Sequence, residues 1–596
     1  MDGLRQGCLL TACCPLKPLV ENPNLVTCLR DNVVHLLYSG ECLLQVFPGD
    51  MTKILCRAPA DWCRLAAVVK GKRRGGESKM GKLHFMAMLG FNPKGYTYCT
   101  YQWENRGRNE GIHSSKDSQE TKESELFTRY AQLATLSKVL NDHPQEEIRV
   151  TIFLTEKARE FSWEGNFVPA QVPEGIEEDN PGLKKALLDF KEKYPEILID
   201  GIDNALDVSI PDGKNQKEQD EIFRTIYESI GEEEQIFFDL THSFRSIPIL
   251  AITVLNYARA VKNIRVGGLY YGAFDARDAN GGKAPIFDMT YCDSVMQWTA
   301  AAESFLTSGS SNQIQKVYKE QSETREHAGI KKAVDDLNRL TNCLETSRGR
   351  QLAAPQNGNY EDPQKSSSIK AAYDGFAKSC EDIDRRGATI ENSALRELFD
   401  KIRDETAVLG VKVYADGRVL EQTSIGVTAV RWAIQKGLTQ QGLTALEATL
   451  TTCVGEVCGF TDLLSNDRGR GIIYNILSGN GSDKITTDEY VRLSGVLDSV
   501  LCGEKSRLYE CTEWTKDARN SINHFGLIDK DSVSYNKNRK QSRDQKRRRN
   551  QTYTYDQLIH VLRERYGEFL QSMENTGCRL MNEQGDEIPW GEWFSI

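Results

Sequence analysis

The sequence has no hydrophobic run long enough to form a membrane-spanning helix. Such a helix needs about 18 consecutive apolar residues, and the apolar segment IPILAITVL, which begins at Ile247, has about half that number. Positive charge is also in deficit, because 75 Lys and Arg stand against 85 Asp and Glu. A net charge of −10 argues against a protein that binds nucleic acid over its whole surface. We therefore expect no membrane partner, and nucleic-acid contacts only at local basic patches.

Several motifs of cofactor and metal sites are missing. The chain contains no G-x-G-x-x-G, G-x-x-x-x-G-K-[ST], H-E-x-x-H or G-x-S-x-G sequence, and a dinucleotide cofactor is therefore not expected. Nine of the sixteen cysteines lie beyond residue 80, without C-x-x-C pairs or histidines at zinc spacing. Scattered cysteines of this kind are typical of proteins in a reducing cytoplasm, where thiols do not form disulfides. We expect a cytoplasmic protein with neither a metal nor an organic cofactor.

The first 79 residues differ from the rest of the chain. They hold the other seven cysteines and show neither clear alternation nor a sustained helical period. The codons of Arg-Arg-Gly-Gly-Glu, just before Met80, can spell a purine-rich stretch like a bacterial ribosome-binding site. We expect translation to begin at Met80 and residues 1–79 to be a non-native extension. A genuine cysteine-rich extension is the alternative.

Strand-like and helix-like segments alternate from Lys82 onward, which predicts a three-layer α/β domain with a mostly parallel sheet over residues 80–295. Its predicted strands are LHFMAMLG, EIRVTIFLT, EILIDGI, QIFFDL and VGGLYYGAF. Its predicted helices are the run from Glu123 to Leu140 and the segments GLKKALLDFKEKY, QKEQDEIFRTIYESI and IPILAITVLNYARAV.

Beyond Asp293 the pattern is helical, and no strand pattern is visible. We predict an all-α second half, with a helical linker or insertion over residues 296–420 and a separate domain over residues 421–596. Its one charge run, Asn536–Asn550, has eight Lys or Arg and one Asp. This run reads either as a track for single-stranded RNA or as a solvated loop, the commoner role of such runs.

The segment FFDLTHSFRSIP places Asp239, Thr241, His242 and Arg245 between an apolar strand and an apolar helix. In an open parallel sheet, ligands bind beyond the carboxyl ends of the strands, and a helix start offers free N–H groups to a phosphate. Arg245 adds a fork-shaped donor. These residues therefore indicate an anion or nucleotide pocket. A helix cap, with Arg245 paired to Asp239, explains them equally well.

The same segment resembles the D-x-[TS]-x-x-x-[RK] signature of the CARF domain, the Rossmann-like sensor of CRISPR-associated accessory proteins. MAMLGFNPKGYTY and TIFLTEKA resemble two other strand ends of that domain, in the same order along the chain. The resemblance implies binding of cyclic oligoadenylate, the second messenger that type III CRISPR complexes make. The contacts that it implies are Gly90, Phe91, Asn92, Thr155, Glu156, Asp239, Thr241, His242 and Arg245.

Near the other end of the chain, ARNSINHF contains Arg519 and His524 with four residues between them. On a regular helix, positions five apart point about 140° away from each other, so the pair can converge only at a helix end or across two protomers. A histidine can transfer protons near neutral pH, and an arginine can stabilise charge on a phosphate. The pair suits metal-free RNA cleavage by the 2′-hydroxyl, although the pattern alone is common by chance.

Behind a CARF-like domain, this pattern resembles the R-x4-6-H motif of the CARF–HEPN ribonucleases, in which a polar residue follows the arginine. Arg519, Asn520 and His524 match that motif. The resemblance implies a homodimeric or larger endoribonuclease that cyclic oligoadenylate activates to cut single-stranded RNA. The alternative is a CARF regulator or scaffold without nuclease activity. A winged helix would favour that alternative, and no strand pair for a wing is visible.

Overall fold

The computed structural model describes most of the chain beyond residue 81, together with four short strands before it. The described ranges are 25–30, 33–38, 41–46, 54–56, 82–91, 96–103, 125–165, 182–195, 197–198, 207–241, 246–277, 282–322, 330–347, 349, 369–383, 390–479, 485–523 and 553–595.

The first strands form a separate four-stranded antiparallel sheet in the order β1-β2-β3-β4. They are β1 (Leu25–Arg30), β2 (Val33–Tyr38), β3 (Glu41–Val46) and β4 (Ile54–Cys56). The sequence pattern did not predict these strands. Whether residues 1–79 belong to the native protein stays a prediction.

A nine-stranded mixed sheet organises residues 83–288. Its path is β10-β8-β5-β11-β12-β13-β6-β7, and β9 pairs with β8 beside that path. The pairs β12–β13 and β6–β7 are antiparallel and the others are parallel. The predicted mostly parallel sheet is confirmed. The strands are β5 (Leu83–Leu89), β6 (Cys99–Trp103), β7 (Glu125–Thr128), β8 (Ile148–Leu154), β9 (Ile197–Leu198), β10 (Asp207–Ser209), β11 (Gln235–Asp239), β12 (Arg265–Gly272) and β13 (Lys283–Asp288).

Among the described residues, four long helices cover the two faces of this sheet, and β5 shows why both faces are needed. All seven residues of β5 are buried. Phe85, Ala87 and Leu89 join one core with α1 and α2, whereas Met86 and Met88 join a second core with α3 and α4. A strand that is apolar on both faces requires a helix layer on each. The helices are α1 (Ala131–Asp142), α2 (Leu183–Lys193), α3 (Gln216–Ser229) and α4 (Ser246–Lys262).

The edge of the sheet formed by β6, β7 and β13 was not predicted. The run from Glu123 to Leu140, predicted as one helix, is helical only from Ala131, because Glu125–Thr128 is a strand paired with β6. The rings of Tyr98 and Phe127 stack at this edge with centroids 5.3 Å apart. This pairing partner lies more than 20 residues away in sequence, so long-range contacts outweighed the local helical pattern. Of the predicted strand EILIDGI, only β9 lies within the described residues.

The second half is mainly helical, as its sequence pattern predicts. No described helix is both long and apolar enough to cross a membrane. The helices are α5 (Thr290–Ser308), α6 (Asn312–Ser322), α7 (Ile330–Glu345), α8 (Ile369–Ile383), α9 (Ile390–Thr406), α10 (Glu421–Gln435), α11 (Thr439–Val457), α12 (Asp467–Leu477), α13 (Thr487–Val500), α14 (Lys505–Asn523), α15 (Tyr555–Asn575) and α16 (Trp590–Phe594).

The prediction that the second half is all-α is wrong in one respect. A small antiparallel sheet joins β14 (Lys412–Ala415), β15 (Arg418–Val419), β16 (Arg579–Met581) and β17 (Glu587–Ile588). Asp416 and Gly417 connect β14 to β15 with φ angles of 47° and 73°. Asp-Gly is a strong signal for such a hairpin, and the sequence pattern missed it because the strands are very short. The second half therefore contains a strand pair, β14–β15, which the sequence pattern did not show.

Two apolar cores divide the helical half. One involves residues from α5 to α9, and the other involves residues 411–593. Trp432 of α10 belongs to the first core, whereas Val427 and Val430 of the same helix belong to the second. The cores change over near residue 410, but the proposed division at residue 420 stays a prediction. Seven of the nine cysteines beyond residue 80 are buried.

Candidate functional sites

Three of the predicted ligand-binding segments leave the sheet at the same edge. In the parallel pair β5–β8, Leu89 lies opposite Leu154. In the pair β5–β11, Asp239 lies opposite Ala87. Because all three strands run in one direction, Gly90, Thr155 and Leu240 begin the segments that follow them at one carboxyl edge. The contacts predicted for Asn92, His242 and Arg245 lie outside the described residues.

Asp239 is an internal anchor at this edge. Its carboxylate is fully buried. One oxygen accepts a hydrogen bond from the Thr135 hydroxyl at 2.6 Å, and the other accepts from the backbone N–H of Thr241 at 2.8 Å. Burial raises the pKa of Asp239, although both hydrogen bonds act in the opposite direction. Asp239 thus fastens α1 to the end of β11 and holds Thr241 from inside.

Thr241 connects the ends of β11 and β12. Its hydroxyl oxygen accepts a hydrogen bond from the backbone N–H of Gly272 at 2.8 Å. A Cβ at Gly272 would lie 2.7 Å from the Cβ of Ala131, so only glycine lets the first turn of α1 pack this closely. Thr241 is therefore held from two sides, by Asp239 and by Gly272.

Gln132, in the first turn of α1, is a residue that the sequence did not single out. Its side-chain amide donates to the carbonyl of Met88 at 2.7 Å. Met88 lies one residue beyond the last β5–β11 pair, so Gln132 fills the gap that opens where β11 ends. Among the described residues, its buried Oε1 has no hydrogen-bond partner. Gln132 thus lies beside the ends of β5 and β11.

The segments after β5 and β8 contribute an aromatic and charged surface. Thr155 is buried, and its hydroxyl accepts from the backbone N–H of Ala158 at 3.4 Å, which caps a short helical turn. Glu156 is exposed. Phe91 is 40% exposed, and its ring lies 5.2 Å from that of Phe161 and 5.8 Å from the Lys157 ammonium. The exposed ring can stack on a base, and the neighbouring ammonium group can contact a phosphate.

Arg519 lies on α14 and faces α11. Its Nη1 is 2.5 Å from Oε2 of Glu447, and its Nη2 donates to the Asn520 side-chain oxygen at 3.1 Å. Burial raises the pKa of Glu447, and the charge of Arg519 opposes that shift. The side chains of Arg519 and Asn520 contact each other. The predicted catalytic residue His524 lies outside the described residues. Sequence reasoning missed Glu447, because no local motif connects residues on two helices that lie far apart in the sequence.

A polar surface cavity of about 400 Å³ adjoins Arg519. It lies between the end of α7 and the facing surfaces of α11 and α14. Seven of its lining residues carry hydroxyl, carboxamide or guanidinium groups: Thr346, Ser347, Gln440, Gln441, Thr444, Arg519 and Asn523. These groups can donate hydrogen bonds to an anion such as a phosphate.

A separate buried cluster lies at the amino end of the same strands. His84 is fully buried, with Nδ1 2.9 Å from a Glu234 oxygen and Nε2 2.8 Å from the Thr151 hydroxyl. Burial lowers the pKa of His84 despite the nearby carboxylate. The arrangement resembles a hydroxyl–imidazole–carboxylate relay, but it is closed to solvent and lies at the opposite edge from the predicted ligand-binding segments. We assign it a structural role.

Comparison with known proteins finds a family match in the first half of the chain. Residues 85–275 match the family described as "CRISPR system endoribonuclease Csx1, CARF domain". That match begins in β5, includes all three strand ends and stops before α5. The CRISPR-associated protein MJ1674 of Methanocaldococcus jannaschii is 33% identical over 98 residues, which are 16% of this chain and 15% of that protein. The alignment thus spans about a seventh of the length of the curated relative.

Proposed function

Because this chain is a CARF-containing protein related to CRISPR-associated proteins, we propose that it is an endoribonuclease of type III CRISPR antiviral defence. In this proposal, cyclic oligoadenylate binds the CARF domain and activates cleavage of single-stranded RNA by the helical half. The main support is the meeting of the three strand ends at one edge, together with the position of Arg519 beside a polar cavity.

The carboxyl edge of the sheet suits a ring of adenylates. The described part of α4 begins at Ser246, immediately after the DLTHSFR segment, and the amino end of a helix attracts phosphate. Phe91 offers a ring on which a base can stack, and Arg245 would add a charge-assisted contact to a phosphate. A symmetric ring is best held by two equivalent pockets, so we propose a two-fold homodimer.

The proposed cleavage needs three groups. His524 takes the proton from the 2′-hydroxyl, Arg519 binds the non-bridging oxygens of the phosphate, and Asn520 orients the guanidinium. The 2′-oxygen then attacks the adjacent phosphorus while the 5′-oxygen leaves and takes up a proton. The products are a 2′,3′-cyclic phosphate and a 5′-hydroxyl. Since RNA supplies its own nucleophile, the proposed reaction requires no metal.

The decisive experiment is cleavage of a labelled single-stranded RNA with and without cyclic tetra- or hexa-adenylate. We expect activator-dependent cleavage that persists in EDTA, products with 2′,3′-cyclic phosphate ends, and no cutting of a DNA strand that lacks the 2′-hydroxyl. Metal-dependent cleavage that leaves 5′-phosphate ends would contradict the proposed mechanism.

The alternative is a ligand-sensing regulator or scaffold, which the β14–β15 hairpin brings back into consideration. That hairpin is not a free wing, because β14 pairs with β16 on its other edge. The ribonuclease therefore remains our preferred function. Tight activator binding without any RNA cleavage would favour the regulator.

A further inference from the structure

The helical half contains a second cavity, of about 420 Å³, which lies where its two apolar cores meet. Leu344, Ile369 and Trp432 line this cavity and belong to the first core, whereas Ala445 lines it and packs against the second. Small-molecule sites of about 300–1,000 Å³ often lie at such boundaries and have mainly apolar walls. The cavity is therefore large enough for a small ligand.

Small residues on α10 and α11 leave this space open. A Cβ at Gly426 would lie 1.9 Å from the Thr449 hydroxyl oxygen, so the two helices touch there. Ala429 follows one turn along α10 and lines the cavity without filling it. On α11 the lining residues run from Gln441 to Thr452, which is about 16 Å along the helix axis. The space is thus long enough for an extended apolar chain.

Arg470 of α12 supplies a positive charge at the Thr452 end of this space. Its Nη2 donates to the Thr452 hydroxyl at 3.0 Å, and its Nη1 donates to the Ala448 carbonyl at 3.5 Å. Among the described residues that line the cavity, no other side chain is charged. In the described part of the chain Arg470 forms no ion pair, and the carboxylates of Asp467 and Glu456 act on it only at longer range.

A half-buried guanidinium without a carboxylate partner favours an anion. A guanidinium has five N–H donors, and the two bonds to Thr452 and Ala448 leave three of them for another acceptor. Burial lowers the pKa of Arg470, although the two acidic groups oppose that shift, so the charge is incompletely solvated. A carboxylate matches the fork geometry of the guanidinium and would compensate for the lost solvation.

We propose that this cavity binds an amphipathic carboxylate, with its apolar chain in the space along α10 and α11 and its carboxylate on Arg470. The site does not depend on the proposed ribonuclease function. Ser347, Gln441 and Thr444 line both this cavity and the polar cavity beside Arg519. The bound molecule therefore lies against a wall that the two cavities share.

The test measures binding of decanoate to the full-length protein by calorimetry. Decanol has the same chain without the charge, and acetate has the charge without the chain. We expect decanoate to saturate one site, decanol to bind more weakly and acetate not to bind measurably. Arg470→Gln should weaken decanoate binding about tenfold or more and leave decanol binding unchanged, because only the charged head group contacts Arg470.

Two further variants complete the test. Ala429→Phe should fill the space and abolish the binding of both decanoate and decanol. Arg468→Gln removes an exposed arginine of the same helix that does not line the cavity, so this matched control should bind decanoate as the wild type does. Thermal melting checks that each variant is folded. If Ala429→Phe does not fold, the comparison of Arg470→Gln with Arg468→Gln decides the question.

The site would be overturned by a wild type without saturable decanoate binding or by an Arg470→Gln variant that binds decanoate as tightly as the wild type. It would also be overturned by an equal loss in Arg468→Gln, or by a folded Ala429→Phe variant that still binds decanoate. None of these measurements uses RNA. Failure of the site is therefore distinguishable from failure of the ribonuclease function.

Discussion

The buried hydrogen bonds of Asp239 offer the most direct test of how the sensor edge is built. Asp239→Ala removes both acceptors and leaves the backbone N–H of Thr241 without its partner. The Thr135 hydroxyl can turn to the carbonyl of Ala131 or Gln132, which lie 3.2 and 3.0 Å away. Most of the penalty therefore comes from Thr241 and from the lost side-chain volume.

An unsatisfied buried donor reduces stability by about 1–3 kcal/mol, so we expect Asp239→Ala to lower the free energy of unfolding by about 2–3 kcal/mol. Thr135→Val leaves one oxygen of a buried carboxylate without a donor and should cost about 1–3 kcal/mol. Because the two side chains contact each other, the double variant should lose about 1–2 kcal/mol less than the sum of the single variants.

Urea or thermal unfolding, followed by a signal from the CARF domain, measures these differences. Thr253→Val is the matched control, since the exposed Thr253 hydroxyl donates only to the carbonyl of Ile249 on its own helix. We expect the control to change stability by less than about 0.5 kcal/mol. Strictly additive losses, or an Asp239→Ala variant as stable as the control, would show that Asp239 does not anchor α1 to β11.

Four further predictions concern the proposed sites and the buried histidine. Arg245→Ala should abolish activation by cyclic oligoadenylate while basal cleavage and the fold remain, and an unchanged activation curve would exclude Arg245 from the pocket. Arg519→Ala and His524→Ala should each reduce cleavage about 100-fold or more without impairing activator binding; the double variant should lose little more, because residues that act together are not additive. Glu447→Gln removes the charge that competes with RNA for Arg519, so the KM for RNA should fall up to about fivefold at low salt, and a higher KM would refute that role. Because the pKa of His84 is lowered in the folded protein, the unfolded chain takes up this proton at a higher pH. Stability should therefore fall as the pH drops below about 6.5. His84→Gln should make the melting temperature less dependent on pH between pH 7 and 5, and an unchanged dependence would refute this role.

The order of strands and helices in the CARF domain could be predicted because it depends on local sequence patterns. Strand β5 is apolar at nearly every position, and the helices that follow the strands have clear helical periods. Alternation of such segments implies a parallel sheet, and a parallel sheet places its carboxyl strand ends at one edge. The meeting of Gly90, Thr155 and Thr241 follows from that rule alone.

The partners that hold these residues were decided by tertiary contacts. Thr135 and Gln132 contact the strand ends only because α1 packs over β5 and β11. Glu447 reaches Arg519 from a helix more than 70 residues away. No local period encodes which helix faces which, since any apolar face can pack against several others.

The same distinction explains the errors in the strands. Sequence reasoning extended α1 through Glu125–Thr128, and it overlooked β14 and β16, which pair residues more than 160 positions apart. Short strands carry little periodicity of their own, and their hydrogen bonds form only after distant segments have been brought together. The sequence by itself determined the helix and strand order of the sensor and the candidate residues at its ligand edge, whereas packing between distant elements decided which neighbours anchor them.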